Sequence, residues 1–401
     1  MSFLAKIEKK NRSVCLAINK EYFKWGKTLP QNAYKKVLLK LYLKRIGILA
    51  VKSLLRPNMI PEAWKMLVHK QKRKHFLSDA LGQKGKTREF WWTLLGYNYF
   101  VPDELMPLLS EDCIMKKQIR FPDVKQPAVS IIIPVYNQLP YTYNCLKSLE
   151  RHLNIHCEII LIDDGSFDET PKFLSTQVEG IRYIRNTDNL GFLLSCNKAI
   201  EKAKAPLICL LNNDTQVKEN WLGSLVEVLL EHEDIGCVGS QLIYPNGLLQ
   251  EAGGLVFSDG STLNFGNLEL PQQTPYNKSR EVDYCSGASI LFRKEDFEKI
   301  GGFDARYVPA YYEDTDLCFE IRHRLGKKVC YIPESKVYHY ESITTGKEIK
   351  EGSVKVHMLY NKEKFKKKWH PQLSSAYCPK GEHINAAMRL GMLKQKRKAI
   401  S

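Results

Sequence analysis

The chain has 401 residues, 44% of them hydrophobic and 26% charged, with 60 Lys and Arg against 44 Asp and Glu for a net charge of +16. This balance excludes a mainly disordered chain, a collagen and a small disulfide scaffold. Eleven cysteines without a Cys-x-x-Cys pair predict a reduced, cytoplasmic protein rather than a disulfide or zinc framework.

The charge is uneven. Residues 1–127 hold 26 basic and 10 acidic side chains, residues 128–346 hold 20 and 30, and residues 347–401 hold 14 and 4. We therefore expect three regions: a basic helical N-terminal region over 1–127, a central domain over 128–345, and a basic helical tail over 346–401. In the first, Lys36, Lys40 and Lys44 would share one helix face, with Tyr34 and Tyr42 among them. Val37 to Leu55 is its most apolar stretch, but four basic residues interrupt it, short of the ~20 apolar residues that a membrane span needs. Lys6, Lys9 and Lys10 stand where the apolar core of a signal peptide would be. Both flanks admit two readings: solvated helices, or contact with an anionic membrane surface, peripheral at the inner face of the plasma membrane.

The central region alternates strands and helices. Val129 to Val135, Cys157 to Ile162, Ile181 to Ile184 and Leu207 to Leu211 read as buried strands. Tyr141 to Leu149, Asp168 to Gln177, the stretch from Gly191 through Ala203, and Trp221 to Leu230 read as helices between them. This order predicts a mostly parallel sheet with helices on both faces and ligands at the carboxyl ends of the strands. From Gly239 to Asp283 the pattern loosens, and a long loop is expected. Val282 to Phe292 regains strand character, Glu313 to Leu325 reads as a helix, and Lys328 to Ile332 and Lys336 to Tyr340 as two strands.

Polar residues gather where the strands end. Tyr136 could stack on a base. Asp163 and Asp164 could accept hydrogen bonds from a pyrimidine imide or a ribose hydroxyl, although Asp-Asp-Gly-Ser is also an ordinary turn. Asp214, in Asn212-Asn213-Asp214-Thr215, could hold a hard divalent cation bridging two phosphates, or simply cap a helix. Glu313-Asp314-Thr315-Asp316 carries three acids where one cap would suffice, so a general base is expected there, kept ionised by the helix N-terminus.

In order, Val129 to Asn137 (VSIIIPVYN), Ile162 to Ser166 (IDDGS), Asn189-Leu190-Gly191-Phe192, Leu211 to Thr215 (LNNDT), Gly301 to Asp304 (GGFD) and Glu313 to Leu317 (EDTDL) resemble the family 2 glycosyltransferases. The resemblance covers about residues 128–345. It implies the GT-A fold, a Rossmann-like α/β sandwich with a mostly parallel mixed sheet. It also implies a non-processive, inverting transfer from a nucleotide-diphosphate sugar to a hydroxyl of a glycan or lipid-linked acceptor. Family members of this type build O-antigen or capsule repeats in bacteria.

The same resemblance assigns roles. Asp314 is the base, with Glu313 as its neighbour. The nucleotide-sugar contacts fall on Pro134, Val135, Tyr136, Asn137, Asp163, Asp164, Asn189, Gly191, Asn212 and Asn213. A divalent metal, Mn²⁺ or Mg²⁺, falls on Asp214, the last acid of an Asp-x-Asp motif whose first position is here Asn212. His339 would complete its shell. The Gln-x-x-Arg-Trp motif of processive synthases is absent. Two other classes are weighed. A dinucleotide oxidoreductase would need glycines after the first strand, and Pro134 to Gln138 has none. A nucleic-acid binder could use the basic flanks, but the acidic centre would repel phosphates and no binding signature is present, so no nucleic acid is expected. A nucleotide-sugar-binding protein without transferase activity is the remaining alternative.

Overall fold

Strict alternation along the central strands places two different apolar layers on the two faces of one sheet. In β2 (Val129–Val135), Val129, Ile131, Ile133 and Val135 join one buried cluster and Ile132 joins the other. In β6 (Leu207–Leu211), Leu207, Cys209 and Leu211 face the first layer, while Ile208 and Leu210 face the second. Strands apolar on both faces belong in the middle of a sheet covered by helices on each side. The computed structural model of the protein has this arrangement and describes residues 102, 104–267, 269, 271–272, 274–341, 343 and 356–379.

The elements run α1 (Glu111–Ile114), β1 (Ile119–Arg120), β2, α2 (Leu139–His152), β3 (Cys157–Asp163), α3 (Thr170–Thr176), β4 (Val178–Glu179), β5 (Arg182–Arg185), α4 (Phe192–Glu201), β6 and β7 (Thr215–Val217). There follow α5 (Trp221–Glu231), β8 (Ile235–Ile243), β9 (Leu249–Glu251), β10 (Gly254–Val256), β11 (Thr262–Asn264), β12 (Arg280–Glu281), β13 (Ser289–Arg293), α6 (Lys294–Ile300), α7 (Glu313–His323), β14 (Lys328–His339), α8 (Val356–Lys368) and α9 (His370–Ala376). The main sheet has the order β12-β14-β8-β13-β6-β2-β3-β5, with β7 on β14 and β9 on β8. β2, β3, β5 and β6 are parallel, and β13 runs antiparallel between β6 and β8. β14 is parallel to β8. Apart from β12 and β13, every strand on the main path therefore points the same way, in the α/β sandwich that the sequence implied.

Three local expectations need correction. The stretch from Gly239 to Asp283 is not one long loop. It begins inside β8, nine residues that are all buried, and continues through β9 and the β10–β11 hairpin. The glycines and serines of β8 hid it: Gly239 packs so tightly on Cys285 that a Cβ would lie 2.3 Å from the Cys285 Cβ. The strand expected over Val282 to Phe292 is confined to β13. The two strands expected from Lys328 to Tyr340 are one, with a register shift between Ile332 and Lys336.

The flanks also differ from the expected boundaries. Residues 1–100, where a helix carrying lysines and aromatics is expected, lie outside the described residues. The segment after them packs on the domain: Asn144 donates to the carbonyls of Met106 and Pro107, and β1 pairs with β4. At the other end, α8 and α9 belong to the domain core. Phe365 and Trp369 are buried against Phe319, with ring centroids 4.8 and 5.6 Å away. Lys368 is surrounded by Asp304, Asp316 and Glu320 at 2.6–3.0 Å, and Lys362 pairs with Asp259. Those two lysines neutralise the domain's own acids instead of forming a free basic face. Among the described residues, no helix is long and apolar enough to cross a membrane.

Candidate active site

The parallel strands end on one rim, and a cavity of about 560 Å³ opens there. Twelve of the residues singled out from the sequence line it: Pro134, Val135, Tyr136, Asp164, Asn189, Gly191, Asn212, Asn213, Asp214, Glu313, Asp314 and His339. Asn137 and Asp163 do not. Asn137 Oδ1 accepts from the amides of Phe167 and Asp168, so it fastens two loops together. Asp163 is fully buried; its carboxylate accepts from the Ser166 amide and the Tyr183 hydroxyl and lies 3.6 Å from Arg185. Both are corrections, and their causes differ. Side chains alternate along a strand, so Asp163 turns away from the face that Asp164 takes, whereas Asn137 lies beyond the end of β2 in left-handed backbone (φ 55°).

Asp164 is the acid on the cavity side. Its carboxylate accepts from Asn186 Nδ2, the Leu190 amide, Ser195 Oγ and the Gly191 amide, each at 2.8 Å. Three of these bonds fall on Oδ1, so that oxygen is filled within the protein and the carboxylate shapes the Asn189-Leu190-Gly191 turn. Gly191 has φ +84° and lies so close to Pro309 that a Cβ would come within 2.8 Å of the proline ring, so only glycine fits there. Nearby, the Tyr136 ring meets Phe167 edge to face at 6.1 Å, and Phe167 is 82% exposed.

At the end of β6, Asp214 and His339 meet although 125 residues separate them in the chain. β7 pairs with β14, placing His339 opposite Thr215. His339 Nε2 lies 3.1 Å from Asp214 Oδ1, and Nδ1 lies 3.0 Å from Gln250 Oε1. Asn212 Nδ2 is 3.4 Å from the same Nε2, and Asn212 Oδ1 is buried without a hydrogen-bond partner. A neutral imidazole has one N–H, yet both ring nitrogens here face acceptor oxygens. Burial disfavours the charged ring, but the charge and hydrogen bond of Asp214 outweigh it, and the pKa of His339 is raised above its ordinary value. A divalent cation shared by Asp214, His339 Nε2 and Asn212 Oδ1 would satisfy the same atoms, so these residues fit such an ion. Among the described residues, no group of three or more His, Cys, Asp or Glu could hold a metal. Most of its ligands would have to be diphosphate and water.

The two acids at the start of α7 are not equivalent. Asp314 Oδ2 accepts from the Gly287 amide at 3.0 Å, and Oδ1 accepts from the Thr315 amide at 2.7 Å and from its hydroxyl at 3.3 Å. Burial raises the Asp314 pKa, and these bonds work against the rise by stabilising the ionised form. Glu313 is buried with Oε2 unpartnered, and burial together with the Asp314 charge drives its pKa well upward. The ionised form is thus better supported at Asp314 than at Glu313. The turn before them carries left-handed backbone at Tyr311 and Tyr312. Asn361 of α8 holds it by donating to the carbonyls of Tyr307, Ala310 and Tyr311.

Sequence reasoning missed the far wall, which includes Gln250, Glu251, Thr262, Asn264, Tyr284, Ser286, Gly287 and Glu341. One signal was available. Gln250-Glu251 interrupts an otherwise apolar or small run from Leu248 to Val256, where a polar pair needs a reason.

Several known proteins are similar to the central part of this chain. Uncharacterized protein y4gI of Sinorhizobium fredii is 28% identical over 55% of this chain and 25% of its own length. O-antigen biosynthesis protein RfbC of Myxococcus xanthus is 29% identical over 56% of this chain and 18% of its own. N-acetylglucosaminyl-diphospho-decaprenol L-rhamnosyltransferase of Mycobacterium tuberculosis is 25% identical over 54% of this chain and 78% of its own. The chain thus spans a quarter or less of the first two relatives. Residues 130–301, from β2 to the end of α6, match the model for glycosyl transferase family 2.

Proposed function

We propose that this chain is an inverting, non-processive glycosyltransferase that moves a sugar from a nucleotide-diphosphate donor to a hydroxyl of a glycan or lipid-linked acceptor. The observation that carries the reading is the make-up of one cavity. It combines the Asp214, His339 and Asn212 cluster with a hydrogen-bonded Asp314 beside the buried Glu313. The charge of the wall supports it. Asp164, Asp214, Glu251, Glu313, Asp314 and Glu341 line the cavity, and the described lining residues include no lysine or arginine. A diphosphate would be repelled from such a wall without a cation, so Asp214, Asn212 and His339 would hold Mn²⁺ or Mg²⁺. When bound, the ion supplies the positive charge that a diphosphate leaving group requires.

The chain's own residues do the rest. Pro134, Val135 and Tyr136 frame the nucleotide with the turn that Asp164 holds. Asp314 takes the proton from the acceptor hydroxyl. The freed oxygen attacks the anomeric carbon from the face opposite the diphosphate, the carbon–oxygen bond to the diphosphate breaks, and the configuration inverts. The names of two relatives support a place in the synthesis of bacterial surface polysaccharide.

The test is a thermal-shift screen of nucleotide sugars, with Mn²⁺ and with EDTA. One donor class should raise the melting temperature with Mn²⁺ only, since a ligand bound by the folded state alone stabilises it. No shift with any donor would refute the reading. A donor that binds but is never turned over would favour a nucleotide-sugar-binding protein.

A further inference from the structure

Glu251 ends β9 and is 2% exposed, with its side chain on the cavity wall. Oε1 accepts from the Ser286 amide at 3.1 Å. The next amide, Gly287, donates to Asp314 at 3.0 Å. Two consecutive backbone donors therefore hold two carboxyl groups side by side, one of them the base. Among the described residues, no cation pairs with Glu251, and the hydrogen bond to its carboxyl falls on Oε1, leaving Oε2 on the cavity side. Burying an acid without a counter-charge is costly, and one amide donor could be satisfied by a neutral side chain. Oε2, on the wall beside the base, calls for a ligand.

We propose that Glu251 determines acceptor specificity: its Oε2 hydrogen-bonds a second acceptor hydroxyl, next to the one that Asp314 deprotonates. This rests on the transferase reading and extends it to the substrate class, a sugar with two hydroxyls on adjacent ring carbons. The two amides belong to consecutive residues, whose Cα atoms are about 3.8 Å apart, and Glu251 is close enough to feel the charge of Asp314. Burial, then the charge of Asp314, pushes the Glu251 pKa up to about 8. A carboxyl protonated near neutrality can both donate to and accept from a hydroxyl. It also stays beside Asp314 without adding a second negative charge. A site built to bond a hydroxyl discriminates strongly against the analogue that lacks it, because its buried polar atom is then left unpaired.

The experiment measures nucleoside-diphosphate release with the donor found in the nucleotide screen and p-nitrophenyl glycosides as acceptors. Glu251→Ala should raise the acceptor KM about tenfold or more, as the loss of one buried hydrogen bond does, and leave the donor KM unchanged. Glu251→Gln, still a donor and an acceptor, should stay near the unmodified protein. An acceptor deoxygenated next to the attacked hydroxyl should cost the unmodified protein as much as Glu251→Ala does, and should cost that variant nothing further. If Glu251→Ala does not fold, Glu251→Met fills the volume and takes its place. An unchanged acceptor KM, a parallel rise in donor KM, or an equal penalty for the deoxy acceptor in both proteins overturns the proposal alone. Absence of release by the unmodified protein with every acceptor overturns the transferase reading, and this one with it.

Discussion

Glu251→Gln also has a stability signature that needs no substrate. The ordinary glutamate pKa is 4.5, and burial beside Asp314 lifts Glu251 to about 8. Between these values the folded protein keeps a proton that the unfolded chain has released. The folded state binds more protons there, so stability falls as pH rises. The loss starts near pH 4.5 and levels off once pH passes about 8, where the folded carboxyl ionises as well. The interval corresponds to no more than about 5 kcal/mol at 1.36 kcal/mol per pH unit. Glutamine cannot ionise, and it keeps an oxygen for the Ser286 amide. The variant should match the unmodified protein at pH 4.5 and exceed it by a few kcal/mol at pH 8–9, about 5–10 °C in Tm for a domain of this size. Glu313, also raised, contributes to both proteins and largely cancels in the difference. The assay is thermal unfolding across pH 4.5–9 with EDTA present. Parallel curves for the two proteins would show that Glu251 is ionised throughout, and would refute the reasoning.

Asp314→Asn should lower turnover by roughly 10²–10⁴-fold with donor binding unchanged; turnover within tenfold of normal would move the base elsewhere. Asp214→Ala and His339→Ala should each weaken the Mn²⁺-dependent part of nucleoside-diphosphate binding in calorimetry. Equal affinity of the unmodified protein in Mn²⁺ and in EDTA would show that Asn212 has cost the site its ion. Asn361→Ala removes three hydrogen bonds behind the base-bearing turn and should destabilise the protein by about 1–3 kcal/mol in denaturant unfolding, with kcat falling more than either KM. The lysine-rich flanks should sediment with anionic vesicles in a salt-sensitive way; no preference over neutral lipid would leave them as solvated helices.

The strand order of the first half was legible because its signal is local. Val129 to Val135 and Leu207 to Leu211 are apolar on both faces, and each ends in polar residues at the rim. The second half was not. β8 carries Gly239 and Ser240, which read as loop, and what makes it a strand is pairing with β13 and β14, up to 95 residues away. The site divides in the same way. Asp214 and Asp314 stand in short motifs and could be found from sequence. Which neighbour faces the cavity was harder. Asp163 and Asn137 spend their oxygens on neighbouring loops, and a motif does not distinguish a side chain that binds a ligand from one that holds its neighbours.

The C-terminal lysines show where composition misleads. Fourteen basic residues after position 346 suggested a surface for anions. A count of charges says nothing about their partners, and the acidic middle of the same chain is the nearest anion. Lys368 reaches Asp316, on the helix that opens with Glu313, and Trp369 donates to the other oxygen of the same carboxylate at 2.7 Å. Asp316 is thus the third acid of Glu313-Asp314-Thr315-Asp316 and has its own assignment, anchoring α8. One helix turn divides its carboxylates among the acid raised most by burial, the proposed base and a structural anchor. The anchor explains why α8 lies where Asn361 can grip the carbonyls of the turn before Glu313. Part of the basic excess that pointed outward to a membrane instead points inward, to the backbone that aims the base.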